Sequence, residues 1–263
     1  VVAEGQTPMI SMAASARIVE PIDAKRRWVF KTPQNDIMMS LAIASHMANV
    51  GVKSVGFIGF ADAYGEGWYQ EFSKIAAVKG INIVANERYA RGDASVAGQV
   101  LKIVGSRPDA VFAGNSGTPG ALPYLGLAER GYKGAIYGTH GLINADFVRV
   151  GGASIEGLQV PSGPVLVADQ LPDANPIKKV SMGFRNAYQK LNGAVPTDAF
   201  SSYTYDAYLL LADAALRQQR ARPQGGADPG PGYRDRRLDP LRRRQFGLRA
   251  VPVALGLPQH RHP

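Results

Sequence analysis

The chain has 263 residues, no cysteine, and 30 Lys and Arg against 21 Asp and Glu. That length can bury a sizeable core in one large or two small domains. Without cysteine there is no disulfide scaffold, thiol nucleophile or cysteine-ligated zinc or iron–sulfur site. No apolar run reaches the roughly 18 residues of a membrane span.

The charge is unevenly spread. From Arg217 onward there are 11 Arg, 3 Asp and neither Lys nor Glu, which leaves 19 basic against 18 acidic residues over 1–216. The body is nearly neutral, so overall basicity is no argument for nucleic-acid binding by the body. The 217–263 tail carries seven Pro and no apolar period, and it follows directly on a helical pattern. Three readings compete for it: a disordered basic arm for an anionic partner, a solvated linker, or an out-of-frame translation of a GC-rich gene. The abrupt compositional change inside a helix favours the last. Val1 opens inside an apolar pattern, as if the N-terminus were cut.

The body alternates strand and helix signals. Trp28, Val29 and Phe30 form a short apolar run before Thr32 and Pro33. Asn35 or Asp36 can cap a helix ending at Gly51. Residues 54–60 read as a buried strand and 64–78 as a helix with Trp68, Phe72, Ile75 and Ala76 on one face. A second strand follows over 81–84, then a helix over 94–104 capped by Asp93. Strands over 109–113 and 135–137 flank a helix over 117–130. A fifth strand is read over 157–160, and helices over 177–191 and 199–216.

Strand–helix alternation with continuous apolar strands predicts an α/β fold with a parallel sheet covered on both faces. Ligands of such sheets sit beyond the carboxyl ends of the strands. The segments expected there are 9–16, 60–65, 113–119 and 138–144. They are rich in small and polar residues suited to a small polar ligand.

Catalytic signatures are absent. No G-x-G-x-x-G follows a strand, and Gly56 and Gly59 lie inside one, where they read as close backbone packing. There is no P-loop, H-E-x-x-H or G-x-S-x-G elbow. His46 falls on a helix as a packed or surface residue. His140 stands beside Gly141 after a strand, with no serine marked to complete a triad. The chain reads as a binding protein, not an enzyme, and requires no cofactor or metal.

Four segments carry a resemblance: Thr7-Pro8-Met9-Ile10-Ser11-Met12-Ala13-Ala14-Ser15-Ala16, Phe60-Ala61-Asp62-Ala63-Tyr64-Gly65-Glu66-Gly67, Pro108-Asp109-Ala110-Val111-Phe112 and Tyr137-Gly138-Thr139-His140-Gly141. In this order and spacing they resemble the branched-chain amino-acid type of ABC-transporter substrate-binding protein, a type I periplasmic binding protein. The resemblance covers about 1–216. It implies two Rossmann-like lobes with parallel sheets closing on a ligand, lobe 2 over 33–160, an incomplete lobe 1 from 1–32 plus 161–216, and crossovers at Thr32-Pro33 and Val160-Pro161. It implies a monomer in the periplasm, its signal peptide outside this chain. Its partners would be a small carboxylate and a membrane permease, with no nucleic acid.

Carried over position by position, Ser11, Ala13, Ala14 and Ser15 match the lobe 1 turn that donates N–H and hydroxyl bonds to a ligand carboxylate. Tyr64 matches a lobe 2 tyrosine that closes over the ligand. Ser116 stands where amino-acid binders tend to carry an aromatic ring, and Gly117 and Thr118 continue that loop. Trp68 reads as core, with a place flanking the cleft as the alternative. His140 replaces the acidic residue that pairs a ligand α-ammonium. Burying an unpaired ammonium costs several kcal/mol, so the departure implies a ligand without an α-amino group. Aromatic acids such as benzoates come first, then 2-oxo acids and short dicarboxylates. Leucine-type amino acids stay open if Asp62 or Glu66 supplies the pairing charge. A sensing or regulatory domain on the same fold is the alternative function. A nucleic-acid or membrane-surface binder acting through the Arg tail is the third, and it lacks interleaved aromatics.

Overall fold

A computed structural model describes residues 2–221. The expected disorder of the 217–263 tail concerns a segment that lies almost wholly outside the described residues. Six strands and seven α-helices follow one another as β1 Met9–Ser11, β2 Val29–Lys31, α1 Asp36–Asn49, β3 Ser54–Phe60, α2 Ala63–Val78, β4 Asn82–Tyr89, α3 Ala97–Gly105, β5 Ala110–Gly114, α4 Leu122–Glu129, β6 Ala135–Gly138, α5 Ala145–Gly151, α6 Lys178–Asn192 and α7 Phe200–Ala221. β1 and β2 pair in parallel as a two-stranded sheet. The other four form a parallel sheet in the order β4-β3-β5-β6.

The continuous apolar runs of β3 and β5 are explained by burial of both sheet faces. Alternate residues point to opposite sides. Val55, Phe57, Ala110 and Phe112 pack with Met39, Ile43 and Met47 of α1 and Trp68 and Phe72 of α2. Ile58, Phe60, Val111 and Ala113 face the other way, onto Val100 and Ile103 of α3, Tyr124 and Leu127 of α4 and Phe147 of α5. Gly56 provides close packing, since a Cβ there would lie 2.6 Å from Ile103 Cγ2. A third cluster joins Phe184 of α6, Tyr203 of α7 and Val165.

Several elements differ from the sequence reading. β4 runs to Tyr89, beyond the expected end at Val84, because an edge strand needs only alternating burial and Asn82, Val84 and Asn86 are its exposed positions. α3 starts at Ala97 and not at Ala94. The Asp93 carboxylate instead accepts from Ala90 N–H at 2.8 Å, closing the loop after β4. The expected 117–130 helix is a 3₁₀ turn, Thr118–Ala121, followed by α4, with Pro near the start of each. The expected fifth strand is a single bridge between Tyr137 and Gln159. α5 and a 3₁₀ segment over Pro164–Gln170 were unread.

Candidate functional site

All four strands of the larger sheet run the same way, so the loops after β3, β5 and β6 meet at one edge. The first begins α2. Asp62 is its N-cap and accepts from Tyr64 N–H at 2.9 Å and Gly65 N–H at 3.0 Å. A Cβ on Gly65 would sit 2.1 Å from Phe60 O, so only glycine lets the helix start this close to the strand end. That approach sets Tyr64 above the sheet edge.

The second loop carries Asn115, Ser116, Gly117 and Thr118. Gly117 sits at φ +63 and donates its N–H to Gly141 O at 3.0 Å, tying this loop to the third. In the third loop Thr139 Oγ1 donates to Asn115 O at 2.6 Å, and Gly141 N–H donates back to Thr139 Oγ1 at 3.1 Å. Tyr64 Oη lies 3.1 Å from the same hydroxyl. A Cβ on Gly141 would fall 2.7 Å from Ser116 Cβ and 2.8 Å from Tyr64 Oη. Tyr64, Ser116, Gly117 and His140 thus belong to one wall, and Thr118 opens the turn beside it.

His140 is the first residue of a 3₁₀ turn, His140–Leu142, not a free loop position. It is 4% exposed, its ring lies 5.8 Å from the Trp68 ring, and Nδ1 has no hydrogen-bond partner. Burial, with the charge of Lys31 adding to it, lowers its pKa to about 4, so the imidazole is neutral at neutral pH. Trp68 is fully buried among Phe112, Tyr64 and His140, which makes it core. His46 is a packed helix residue whose Nδ1 meets Tyr137 Oη at 2.9 Å.

The 11–16 loop follows β1. Ala13 N–H donates to Ser11 Oγ at 3.1 Å, and Ser11 O accepts from Thr32 N–H. Ala14 and Ser15 are half-buried. Ser15 precedes a 3₁₀ turn, Ala16–Ile18, without a side-chain capping bond, so its hydroxyl is not used as a cap. No hydrogen bond among the described residues joins Ser11, Ala13, Ala14 or Ser15 to Tyr64, Ser116, Thr118 or His140. The link is indirect. Ala16 N–H is directed at the Asp36 carboxylate, whose charge also bears on Tyr64.

Asp36 and Lys31 escaped the sequence reading as site residues, since each looks like an ordinary flanking charge. Both are buried. Lys31 Nζ donates to Pro33 O at 2.7 Å and Gln34 O at 3.2 Å, clamping the stretch between β2 and α1. Burial lowers the Lys31 pKa to about 8 and raises that of Asp36 to about 6. Gln34 also accepts from Tyr203 Oη at 3.1 Å, and Gly163 lies against its amide. Gln34 therefore brings the start of α1, Gly163 and Tyr203 of α7 together.

Arg91 was missed as well. Its Nε donates to Asp62 Oδ2 at 2.6 Å, its Nη1 reaches Ser116 Oγ at 3.4 Å, and its guanidinium carbon lies 4.1 Å from the Phe60 ring centre. Burial raises the Asp62 pKa, but the N–H groups of Gly65 and Tyr64 and the Arg91 side chain outweigh it and hold the carboxylate below its ordinary value. A shallow pocket of about 280 Å³ adjoins Arg91 and Thr118, floored by Leu122, Leu125 and Val150. No group of three or more His, Asp or Glu among the described residues could hold a metal ion. No helix among them is long and apolar enough to cross a membrane.

Comparison with known proteins agrees with this architecture. An extracellular ligand-binding receptor from Rhodopseudomonas palustris HaA2 is 42% identical, with a TM-score of 0.78 over 86% of this chain and 62% of its own. A leucine-binding protein from Thermotoga maritima MSB8 is 25% identical, with a TM-score of 0.70 over 82% of this chain and 59% of its own. Among curated proteins, the Leu/Ile/Val-binding protein homolog 3 of Brucella melitensis is 26% identical over 130 residues, 49% of this chain and 35% of that protein. The chain thus spans less than two thirds of the length of these relatives. The family model described as "Periplasmic binding protein" matches residues 1–228. With that match, and with the parallel α/β fold of the type I proteins of this kind, the chain belongs to the periplasmic binding protein family.

Proposed function

We propose that this chain is the solute-binding component of an ABC importer, working in the periplasm as a monomer and delivering a small carboxylate to a membrane permease. Residues 33–160 form lobe 2, and 1–32 with 161–216 contribute lobe 1. The solute carboxylate meets the N–H groups and hydroxyls of Ser11, Ala13, Ala14 and Ser15. Tyr64, Ser116, Gly117, Thr118 and His140 close on the rest of the solute. The open form binds on one lobe, and hinge closure adds contacts from the other. No bond is made or broken.

One observation carries the ligand class: His140 is buried and neutral, and its Nδ1 has no hydrogen-bond partner among the described residues. A neutral imidazole offers one donor and one acceptor but no charge to balance an ammonium. Asp62 and Glu66, the acids that could replace it, are engaged by Arg91 and Arg88. An aromatic acid with a hydroxyl or second polar group fits these surroundings better than an α-amino acid. The second reading, a branched-chain amino acid, is favoured by the names of the Brucella and Thermotoga relatives, a Leu/Ile/Val-binding protein homologue and a leucine-binding protein.

A thermal-shift screen of the chain with benzoate, 4-hydroxybenzoate, a 2-oxo acid, a dicarboxylate and leucine tests this. The expected result is a melt raised by the aromatic acids and unmoved by leucine. A shift with leucine alone restores the amino-acid reading.

A further inference from the structure

We infer that Arg91 is a specificity-determining residue of the lobe 2 wall, and that it selects solutes carrying a second carboxylate at the end remote from the 11–15 loop. The inference rests on the proposed cleft and extends it to a substrate class, the dicarboxylates.

The guanidinium is held on three sides. Asp62 takes the Nε–H at 2.6 Å while its other oxygen caps α2, so the carboxylate that sets Tyr64 also sets Arg91. The rings of Phe60 and Tyr64, at 4.1 and 5.8 Å, fix the plane. Nη1 extends toward Ser116 Oγ at a long 3.4 Å. An aromatic ring at 116 would fill the space into which Nη1 reaches. The small Ser116 leaves it open, and the Gly117-to-Gly141 bond keeps Ser116 in place.

A guanidinium has five N–H groups in one plane, and here Asp62 and Ser116 take only the Nε–H and one Nη1–H. The side chain is 48% exposed. An exposed ion pair contributes little to stability, so the Asp62 pair does little for the fold. What it does is hold the remaining N–H groups in a fixed orientation beside Ser116, the arrangement that favours a planar oxygen anion. Asp93 lines the adjoining pocket together with Arg91, and its carboxylate disfavours an anion there, so the Ser116 side is the place for one. Lysine at 91 would keep the charge and lose the plane.

Titration calorimetry at fixed salt with two matched pairs tests this: terephthalate against benzoate, and adipate against hexanoate. In the unaltered chain the diacid of at least one pair should bind about 10-fold tighter. Arg91→Gln should abolish that preference and change monoacid binding by less than about 2-fold, since the lost contact is only with the second carboxylate. Arg91→Lys, which keeps a partner for Asp62, should retain part of it, and Ser116→Ala should reduce it about 3-fold by removing one hydroxyl. Equal binding of monoacid and diacid in both pairs overturns the inference and leaves the carboxylate reading intact. A preference that survives Arg91→Gln overturns it too. Binding of none of the four acids overturns that reading together with the inference.

Discussion

Tyr64 Oη lies 3.1 Å from Thr139 Oγ1, and the direction of that bond is fixed by the threonine's other partners. Thr139 has one proton, and it goes to Asn115 O at 2.6 Å. Its oxygen already accepts from Gly141 N–H. The phenol must therefore donate to Thr139, which leaves the Tyr64 oxygen as an acceptor. The hydroxyl of one buried threonine thus joins the loops after β3, β5 and β6.

Replacing Thr139 with Val should be costly. The side chain keeps its shape but leaves Asn115 O, Gly141 N–H and Tyr64 O–H unpaired in a buried place. Each unsatisfied group costs about 1–3 kcal/mol. Urea unfolding should show a loss of at least about 2 kcal/mol for Thr139→Val and less than about 1 kcal/mol for Thr139→Ser, which keeps the hydroxyl. Equal midpoints for the two variants would remove the hydroxyl from its linking role.

Gly65 and Gly67 stand two residues apart and should respond in opposite ways to a methyl group. A Cβ at Gly65 would lie 2.1 Å from Phe60 O, and backbone on both sides cannot yield cheaply. Gly65→Ala should lose about 1–3 kcal/mol by overpacking and displace Tyr64. At Gly67 a Cβ would meet only Asp36 Oδ2 at 3.8 Å, an ordinary contact. Inside a helix, alanine is favoured over glycine by about 0.5–1 kcal/mol, so Gly67→Ala should be neutral or stabilising. Melting temperatures of the two variants decide it, and a Gly65→Ala variant as stable as Gly67→Ala would show that the close approach is not real.

Asp36 and His140 should give the protein two opposing pH dependences. Burial raises Asp36 from its ordinary 3.8 to about 6, so between these values the folded chain keeps a proton that the unfolded chain releases. Its contribution to stability therefore falls as pH rises through that window. Burial lowers His140 from 6.5 to about 4, so the unfolded chain takes up a proton that the folded one refuses. Its contribution rises with pH between those values. Relative to the unaltered chain, Asp36→Asn should gain stability as pH goes from about 4 to 6, and His140→Gln should lose it, each by on the order of 1–3 kcal/mol. Urea midpoints across this range test it, and curves parallel to that of the unaltered chain would contradict both.

The parts of the fold legible in the sequence were those whose signal is local. β3 and β5 announce themselves because both faces are covered and every residue after Ser54 in β3, and all of β5, is apolar. The Asp109 motif was legible as a pattern, while its role needed coordinates: the carboxylate accepts from Lys53 and Ser54 N–H at 2.9 and 2.8 Å, pinning the start of β3 to that of β5. Asp93 was assigned to the wrong bond because an Asx turn and a helix cap use the same residue type. On the wall that the three loops form, Tyr64 and His140 were reachable through the motifs that carry the resemblance, and Ser116 through the position it matches in that family. Lys31, Asp36 and Arg91 were not. Their surroundings are set by segments distant in sequence, and nothing in the neighbouring residues distinguishes a buried lysine or a stacked arginine from a solvated one.

His140 offers the most direct test of the ligand class. His140→Ala removes the imidazole and should weaken binding of the proposed aromatic acid by about 10- to 100-fold, which corresponds to roughly 1.4–2.8 kcal/mol. Tyr64→Ala should have an effect of the same size, since the phenol belongs to the same wall. His140→Glu should do something different. It places a carboxylate within the influence of Lys31, the group whose charge bears on His140, so the new charge has a partially compensating cation. An aromatic carboxylate should then be repelled, while leucine, with its α-ammonium, should gain affinity. Calorimetry with 4-hydroxybenzoate and leucine on the three variants separates the cases. If His140→Glu leaves both affinities where His140→Ala puts them, the residue fills space and does not read ligand charge. If leucine already binds the unaltered chain and His140→Glu does not strengthen it, the ammonium is held elsewhere, and the carboxylate without an α-amino group is the wrong solute.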